Sequence, residues 1–289
     1  MTQEDSAMNA ISNGQITSNA AQIYDTFFVP ALFAEWAPRM ADMAWLRPGQ
    51  TVLDVACGTG LFAREALARV RPDGAVSGLD CNQDMLAVAR QRESGIDWRR
   101  GHAESLPYDD HSFDIVACQF GLMFFDDRQV ALEQMWRALR PGGRLLVAVW
   151  DALERTPGYA TMTALLQRLF GESIANELRA PFVLGDPDQL RHLFAAAGMT
   201  GIELTSVVGS ARFPSINDWV HTDIKGWTLA DKIDDEQYAI LRREADTELA
   251  PFRQSDGSVL FDSPAHIVTA QKNPCRRRNS RTECASDWT

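Results

Sequence analysis

Apolar residues recur along the first half of the chain in two alternating patterns. Short, mainly apolar runs at 51–56 and 113–119 have the length and composition of buried strands. Segments 61–70 and 128–139 instead place apolar residues three and four positions apart, as an amphipathic helix does. Strands separated by helices of this length are typical of βαβ units. The pattern therefore predicts an α/β fold built on a parallel sheet.

The flanking segments extend this pattern. Further strands are predicted at 75–80, 96–100 and 144–150, with a helix from Asn82 to about residue 93. Before the first strand, segment 22–46 has mixed apolar spacings interrupted by two prolines, which predicts two short helices.

The second half of the chain is less regular. Its patterns predict helices at 159–170, 188–197 and within 214–250, one long strand at 202–212, and a last strand at 258–270. No linker or internal repeat divides the chain. We therefore expect three parts: a flexible polar arm at 1–20, a single domain at 21–272 whose helical insertion at about 214–255 could close over a substrate, and a disordered tail at 273–289.

Composition and charge exclude several classes of protein. The chain has 289 residues, 45% of them apolar, with 28 basic and 39 acidic side chains and a formal net charge of −11. This apolar content suits a folded core, and the acidic balance argues against a nucleic-acid partner. Five cysteines without CxxC spacing support neither a disulfide framework nor a zinc site. We expect no membrane span and no secretion signal, and hence a cytoplasmic protein that binds no metal.

A glycine loop is the most informative motif. Residues 52–60, VLDVACGTG, are a buried strand that ends in a tight turn, and a helix follows. Gly58 and Gly60 permit backbone conformations and close approach that a Cβ would block. Asp80 ends the second strand, where its carboxylate could accept hydrogen bonds from ribose hydroxyls. Together these features predict a cofactor that contains adenosine.

Two classes of cofactor fit the loop. Residues 58–63 match the G-x-G-x-x-A dinucleotide fingerprint, so an NAD-dependent oxidoreductase stays an alternative. However, Asp54 lies in the strand four residues before Gly58, where it would repel a pyrophosphate but could hold loop amides or a cationic amine. The second half of the chain also lacks the pattern of a second mononucleotide-binding unit.

Four motifs, in order, resemble those of class I S-adenosylmethionine-dependent methyltransferases of the ubiquinone/menaquinone-biosynthesis type. They are the glycine loop at 52–60, Asp80 at the end of the second strand, GHAESLPY at 101–108 followed by SFD at 112–114, and RALRPGGR at 137–144. The resemblance covers about residues 24–150. It implies a doubly wound, mostly parallel, seven-stranded Rossmann-like sheet with an antiparallel last strand and helical insertions.

The resemblance also implies a set of residues that contact S-adenosyl-L-methionine. These cofactor-binding candidates are Tyr24, Asp54, Ala56, Gly58, Thr59, Gly60, Asp80, Cys81, Met85, His102, Ala103, Glu104 and Gln119. In one departure, His102 occupies the position where the family usually has an Asp that contacts the adenine amino group. A neutral imidazole can accept that hydrogen bond, or Glu104 can do so instead.

Methyl transfer from a sulfonium is an in-line displacement, in which the protein mainly aligns the acceptor and excludes water. A general base helps when the acceptor is a hydroxyl, a protonated amine or an acidic carbon. His221 is the candidate base, and Asp223 is a further one. The large apolar side chains predicted to form the substrate pocket are Phe28, Met123, Trp150, Trp219 and Trp227. They favour a small, hydrophobic or aromatic acceptor. A non-catalytic protein that binds an adenosyl ligand is the remaining alternative.

Overall fold

A seven-stranded sheet forms the centre of the protein. The computed structural model describes residues 18–225, 229 and 232–274. In chain order, the strands of this part are β1 Thr51–Val55, β2 Ala75–Asp80, β3 Asp97–Arg100, β4 Phe113–Gln119, β5 Leu139–Trp150, β6 Glu203–Val207, β7 Ser210–Phe213, β8 Val259–Asp262 and β9 Ala265–Gln271. The sheet order is β3-β2-β1-β4-β5-β9-β6, while β7 and β8 form a separate two-stranded sheet.

The strand directions confirm the predicted fold class. Strands β1 to β5 pair in parallel, and β9 pairs antiparallel with both β5 and β6. The last strand of the chain is therefore inserted antiparallel between two strands that run in the same direction. This is the α/β, mostly parallel, Rossmann-like sheet that the resemblance implied.

Helices connect the strands and cover the sheet. They are α1 Ser18–Ile23, α2 Trp36–Met43, α3 Leu61–Val70, α4 Gln83–Arg92, α5 Arg128–Ala138, α6 Pro157–Phe170, α7 Glu172–Arg179, α8 Pro187–Ala196, α9 Ile216–Lys225 and α10 Asp235–Glu248. Asn82 caps α4 as predicted, since its side chain accepts hydrogen bonds from the backbone N–H groups of Asp84 and Met85.

The N-terminal segment differs from the two short helices predicted for 22–46. A π-helix, Tyr24–Phe33, follows α1 directly and contains Pro30, and α2 begins only at Trp36. Single stretches of π-helix often occur at functional sites. Here the π-helix carries three aromatic residues, Tyr24, Phe28 and Phe33, that lie at the candidate site described below.

Two strand predictions in the second half were wrong. The predicted strand at 202–212 is broken at Gly209 into β6 and β7, which belong to different sheets. At this break the backbone packs closely on α2, because a Cβ on Gly209 would lie 2.3 Å from the ring of Trp36. The predicted strand at 258–270 likewise divides into β8 and β9 around Ser263, whose N–H donates to the carbonyl of Gly209 at 2.9 Å.

The helical insertion predicted at 214–255 contains α9 and α10, and α10 packs against α6. The predicted arm and tail fall almost entirely outside the described residues, so the division of the chain into arm, single domain and tail stays a prediction. Among the described residues, no helix has both the length and the apolar composition needed to cross a membrane.

Candidate functional site

Four parallel strands end at one edge of the sheet. Their last residues are Val55 of β1, Asp80 of β2, Gln119 of β4 and Trp150 of β5. Open α/β sheets bind ligands at this carboxyl edge, beside the point where the strand order reverses. In this sheet the order reverses between β1 and β4. The glycine loop therefore begins where the fold favours a ligand.

The loop has left-handed backbone conformations at three positions. The φ angles are 57° at Ala56, 54° at Gly58 and 82° at Gly60. Gly60 is also the N-cap residue of α3, and a Cβ there would lie 2.3 Å from the ring of Trp98. A Cβ on Gly58 would instead meet no atom closer than 4.0 Å. Gly60 is thus required for packing, whereas Gly58 leaves an open surface on the loop.

Asp80 is connected directly to this loop. Its Oδ2 accepts the N–H of Gly58 at 2.8 Å and its Oδ1 accepts the N–H of Asn82 at 2.8 Å. The residue is buried, and burial raises the pKa of its carboxyl group despite these two hydrogen bonds. Each carboxylate oxygen can accept a further hydrogen bond, so Asp80 can still bind a ligand hydroxyl.

A polar cavity of about 440 Å³ opens beside Asp80. Six of the predicted cofactor residues line it: Ala56, Asp80, Cys81, His102, Ala103 and Glu104. The other lining residues, which were not predicted to contact the cofactor, are Leu79, Gly101, Phe124, Phe125 and Asp126. Phe124 and Phe125 lie at the end of the 3₁₀ turn that follows β4, so the sequence predicts them at the ligand edge of the sheet but does not assign them to the cofactor. Glu104 is hydrogen-bonded to the segment that follows Phe125, since its Oε1 accepts the N–H of Asp126 at 3.1 Å.

Asp54 lies beneath the glycine loop with one carboxylate oxygen unpaired. Its Oδ2 accepts the N–H of Ala63 at 3.0 Å, while its Oδ1 is buried without a hydrogen-bond partner. Burial raises the pKa of Asp54 to about 8, although the Ala63 hydrogen bond opposes the shift. A buried acceptor without a partner is costly, so this oxygen is a natural contact for an N–H donor or a cation.

Two further predicted residues lie around the loop. Tyr24 covers Gly58, with its ring 4.0 Å from the position a Cβ would take there. Burial, and then the neighbouring carboxylates of Asp80, Asp25 and Asp54, raise the pKa of the Tyr24 hydroxyl. Gln119 ends β4 with its Oε1 buried and without a hydrogen-bond partner. Asp54 and Gln119 thus each have one buried acceptor oxygen without a hydrogen-bond partner.

Thr59 and Met85 do not line the polar cavity. Thr59 is buried within the loop, and its hydroxyl has no hydrogen-bond partner. Met85 lies in the first turn of α4 and packs in a small apolar cluster against Ala21 of α1 and Tyr24 of the π-helix.

An apolar cavity of about 490 Å³ is bordered by Phe28, Leu32 and Phe33 of the π-helix. It is lined mainly by large apolar side chains, among them Phe28, Leu32, Phe33, Trp150, Leu178, Phe182 and Leu229, and also by Tyr159, Glu177, Pro181, Asp223 and Ser263. Phe28 and Trp150 are thus placed together as the sequence predicted. The ring of Trp150 stacks on Phe120 with the centroids 3.9 Å apart, which fixes its orientation.

Phe33 connects the two regions. Its ring centroid lies 5.3 Å from that of Tyr24 and 5.7 Å from that of Trp150. Tyr24 contacts the glycine loop, and Phe33 and Trp150 line the apolar cavity. Adjacent aromatic side chains, Tyr24 and Phe33, therefore link the glycine loop to the apolar cavity.

The other predicted pocket residues lie elsewhere. Met123 is buried in the 3₁₀ turn Leu122–Phe124 and does not line either cavity. Trp219 is fully buried behind the apolar cavity, packed against Phe213 and Phe261 at centroid distances of 5.5 and 4.7 Å. Trp227 falls outside the described residues. Large apolar residues pack wherever the core needs volume, which explains why composition alone did not separate pocket from core.

The two candidate bases on α9 face different environments. His221 is exposed, and its Nδ1 lies 3.3 Å from the hydroxyl of Tyr238. Asp223 is buried and lines the apolar cavity, where its Oδ1 accepts the Tyr159 hydroxyl at 3.2 Å. The geometry therefore favours Asp223 over His221 as the titratable group at the cavity. Within the described part of the chain, no group of His, Cys, Asp and Glu side chains could hold a metal ion.

The chain is similar to a family of known methyltransferases. The family model described as "ubiE/COQ5 methyltransferase family" matches residues 30–210. The demethylmenaquinone methyltransferase of Staphylococcus carnosus (strain TM300) is 32% identical over 188 residues, which are 60% of this chain and 78% of that protein. The protein of the same name from Staphylococcus aureus (strain JH9) is 30% identical over the same shares of the two chains.

Solved structures share the fold at lower identity. The YcgJ protein of Bacillus subtilis matches with a TM-score of 0.56 and 18% identity over 83% of this chain and 98% of that chain. Phosphoethanolamine N-methyltransferase 2 of Haemonchus contortus, in complex with phosphomonomethylethanolamine and S-adenosylhomocysteine, matches with a TM-score of 0.57 and 19% identity. That match covers 89% of this chain and 58% of that chain. At these identities the two structures support the fold alone.

Proposed function

Because the chain belongs to the ubiE/COQ5 methyltransferase family, we propose that it methylates a small aromatic metabolite held in the apolar cavity. The protein is an S-adenosylmethionine-dependent methyltransferase. The proposal extends this activity to the acceptor and to the residues that bind each ligand.

The unpaired oxygens around the glycine loop support a cationic cofactor. S-adenosylmethionine carries positive charge at its sulfonium and amino groups, and Asp54 and Gln119, in and at the end of neighbouring strands, each have one buried oxygen without a hydrogen-bond partner. A cationic ligand would favour the ionised form of Asp54, whereas a pyrophosphate beside it would gain no attraction from this carboxyl group. The residues present thus fit the adenosyl cofactor better than NAD.

Each residue around the polar cavity has a role in this proposal. Asp80 would accept hydrogen bonds from the ribose hydroxyls. His102 and Ala103 would border the adenine, with Phe125 against its face. Asp54 and Gln119 would hold the amino-acid end through their unpaired oxygens. When bound, the cofactor supplies an electrophilic methyl group on a sulfonium. The chain itself contributes binding, alignment and exclusion of water.

The aromatic cavity beside Tyr24 and Phe33 is the observation that carries the acceptor proposal. Phe28, Phe33, Trp150, Tyr159 and Phe182 surround a space suited to a flat apolar molecule. The relatives named demethylmenaquinone methyltransferase add support for a quinone-like ring. Because Tyr24 contacts the glycine loop and its neighbour Phe33 lines the cavity, an acceptor there would lie on the side of the cofactor site that the methyl group must face.

A methylation screen tests the proposal. The purified protein is incubated with methyl-labelled S-adenosylmethionine and a panel of quinols, phenols, aliphatic amines and lipids, and labelled products are identified by mass spectrometry. We expect label in aromatic members of the panel. Label confined to aliphatic amines or lipids would contradict the proposed acceptor. Binding of NADH without binding of S-adenosylhomocysteine would contradict the proposed use of the loop.

A further inference from the structure

Two carboxyl groups, those of Asp223 and Glu177, line the apolar cavity, and the proposed cofactor contacts use neither of them. Asp223 of α9 is 2% exposed and shares the cavity lining with Phe33 and Trp150. Its Oδ1 accepts the hydroxyl of Tyr159, and its Oδ2 makes no hydrogen bond of ordinary geometry within the described residues. The indole of Trp219 lies close enough to favour the ionised form, but its own N–H also lacks a partner of ordinary geometry. Oδ2 is thus a buried acceptor without an ordinary hydrogen bond, which is costly unless a ligand supplies a donor.

Asp223 has no counterion among the residues that the structure describes. Glu177 of α7 also lines the cavity, and its carboxylate pairs with Lys232, whose Nζ lies 2.5 Å from Oε1. Tyr159 of α6 is the other titratable group that faces Asp223. Among the described residues, no basic side chain forms an ion pair with Asp223. Burial therefore raises the pKa of its carboxyl group to about 8, against the weaker effects of Tyr159 and Trp219.

Tyr159 holds the carboxyl group in a fixed orientation. Its ring is packed edge-on against Trp219 and Phe261, with centroids 5.9 and 5.6 Å away. These contacts restrict the ring, and its hydroxyl occupies Oδ1 of Asp223. The second oxygen has no hydrogen-bond partner of ordinary geometry among the described residues, so it is the one left to accept a hydrogen bond from a ligand.

We propose that Asp223, oriented by Tyr159, binds a hydroxyl group of the acceptor through Oδ2 and takes its proton during methyl transfer. This inference rests on the proposed function, because it concerns the same cavity and the same reaction. It narrows the acceptor class to hydroxyaromatic compounds and gives Asp223 the role of general base.

The step is balanced in atoms and charge. The O–H bond of the acceptor breaks, and its proton moves to Oδ2 of Asp223. The electron pair released into the acceptor forms the new bond to the methyl carbon, either at the oxygen or at a ring carbon that shares the charge. The bond from that carbon to sulfur breaks, and its electron pair stays on the sulfur. One carboxylate charge and one sulfonium charge are thereby neutralised together.

The raised pKa of Asp223 suits this chemistry. A phenol has a pKa of about 10, and a base works best when its pKa approaches both that of the donor and the operating pH. An ordinary carboxylate, with a pKa of about 4, would be a much weaker base. Burial in an apolar cavity therefore makes Asp223 a better proton acceptor at neutral to alkaline pH.

A binding comparison tests the hydroxyl contact separately from turnover. The affinities of 1-naphthol and 1-methoxynaphthalene, which differ by one methyl group on the oxygen, are measured by calorimetry in the presence of S-adenosylhomocysteine. We expect the wild-type protein to prefer 1-naphthol by about tenfold, the effect of one buried hydrogen bond. Asp223→Leu should remove the preference, and Asp235→Asn, an exposed site on α10, should leave it unchanged. Equal affinity of the wild-type protein for both compounds would overturn the proposal.

A kinetic comparison tests the proton transfer. Asp223→Asn keeps a hydrogen-bonding group but removes the base. With the best hydroxyaromatic acceptor, we expect kcat to fall about 100-fold or more, the KM to change little, and the rise of kcat with pH to disappear. Tyr159→Phe should shift the pH profile while keeping most of the activity. A retained kcat and pH profile in folded Asp223→Asn would overturn the inference, yet leave the proposed function intact. If the wild-type protein methylated no aromatic compound, the proposed function itself would fail.

Discussion

The backbone N–H of Gly58 donates a hydrogen bond to Oδ2 of Asp80 over 2.8 Å, although 22 residues separate them along the chain. This bond ties the glycine loop after β1 to the end of β2. The other oxygen of Asp80 holds the N–H of Asn82, the residue that caps α4. The proposed cofactor site is therefore already assembled by the chain's own hydrogen bonds, and the ligand need not order it.

Replacing Asp80 should weaken cofactor binding strongly. Asp80→Ala removes the proposed ribose acceptor and releases the N–H of Gly58, so we expect the affinity for S-adenosylhomocysteine to fall by about 1–3 kcal/mol. Calorimetry provides the measurement. Asp73→Ala, in an exposed turn before β2, is the matched control and should bind as the wild-type protein does. Unchanged affinity in a folded Asp80→Ala protein would show that the ribose binds elsewhere.

Two glycine substitutions separate backbone strain from ligand contact. Gly58 and Gly142 both have positive φ angles, and in neither case would a Cβ meet an atom closer than 4.0 Å. We expect Gly58→Ala and Gly142→Ala each to destabilise the protein by about 1–2 kcal/mol through strain. Only Gly58→Ala should also weaken S-adenosylhomocysteine binding, because its methyl group would enter the proposed ligand surface. Equal affinities of the two variants would argue against contact between that loop and the cofactor.

Asp54 should make stability depend on pH. Its pKa is about 8 in the folded protein and 3.8 ordinarily, so the folded state retains a proton that the unfolded chain releases between about pH 4 and pH 8. This contribution to stability is complete below pH 4 and is lost as the pH rises toward 8. Asp54→Asn removes it.

The test compares urea unfolding at pH 5 and pH 8 without ligand. The free energy of unfolding of Asp54→Asn minus that of the wild-type protein should be about 1–3 kcal/mol larger at pH 8 than at pH 5, because only the wild-type protein loses stability as the pH rises. Asp73→Asn should show no such change. A pH-independent difference for Asp54→Asn would mean that the folded protein holds Asp54 ionised.

Trp150 should affect the acceptor and leave the cofactor unaffected. Trp150→Phe keeps an aromatic ring but shortens one wall of the apolar cavity. We expect the acceptor KM to rise about three- to tenfold, while the affinity for S-adenosylhomocysteine stays within about twofold. Trp45→Phe, at a position 59% exposed, is the control. A loss of cofactor affinity in Trp150→Phe without any change in the acceptor KM would place the acceptor elsewhere.

The cofactor half of the site could be predicted from sequence because it is local. Asp54, Gly58 and Gly60 belong to one strand, turn and helix, and Asp80 ends the next strand, so their spacing along the chain fixes their positions in space. Parallel strands then bring these ends to one edge. The same locality explains why six predicted residues line one cavity.

The acceptor half could not be predicted in the same way. Its walls come from the π-helix, β5, α6, α7 and α9, which are distant in sequence. Phe33 and Tyr159 have the apolar spacing of ordinary core residues. Trp219 lies one helical turn before Asp223 on α9 and is a fully buried core residue. Only Asp223, an acid on the buried face of α9, carried a signal, because burying a carboxyl group is costly without a partner.

A crystal structure with S-adenosylhomocysteine tests the central claim most directly, namely that the two cavities are the two halves of one active site. The account predicts that the ribose contacts Asp80, that the adenine lies beside His102 and Ala103, and that the sulfur points past Tyr24 toward Phe33 and Trp150. A ligand bound away from the glycine loop, or a sulfur directed away from the apolar cavity, would contradict it.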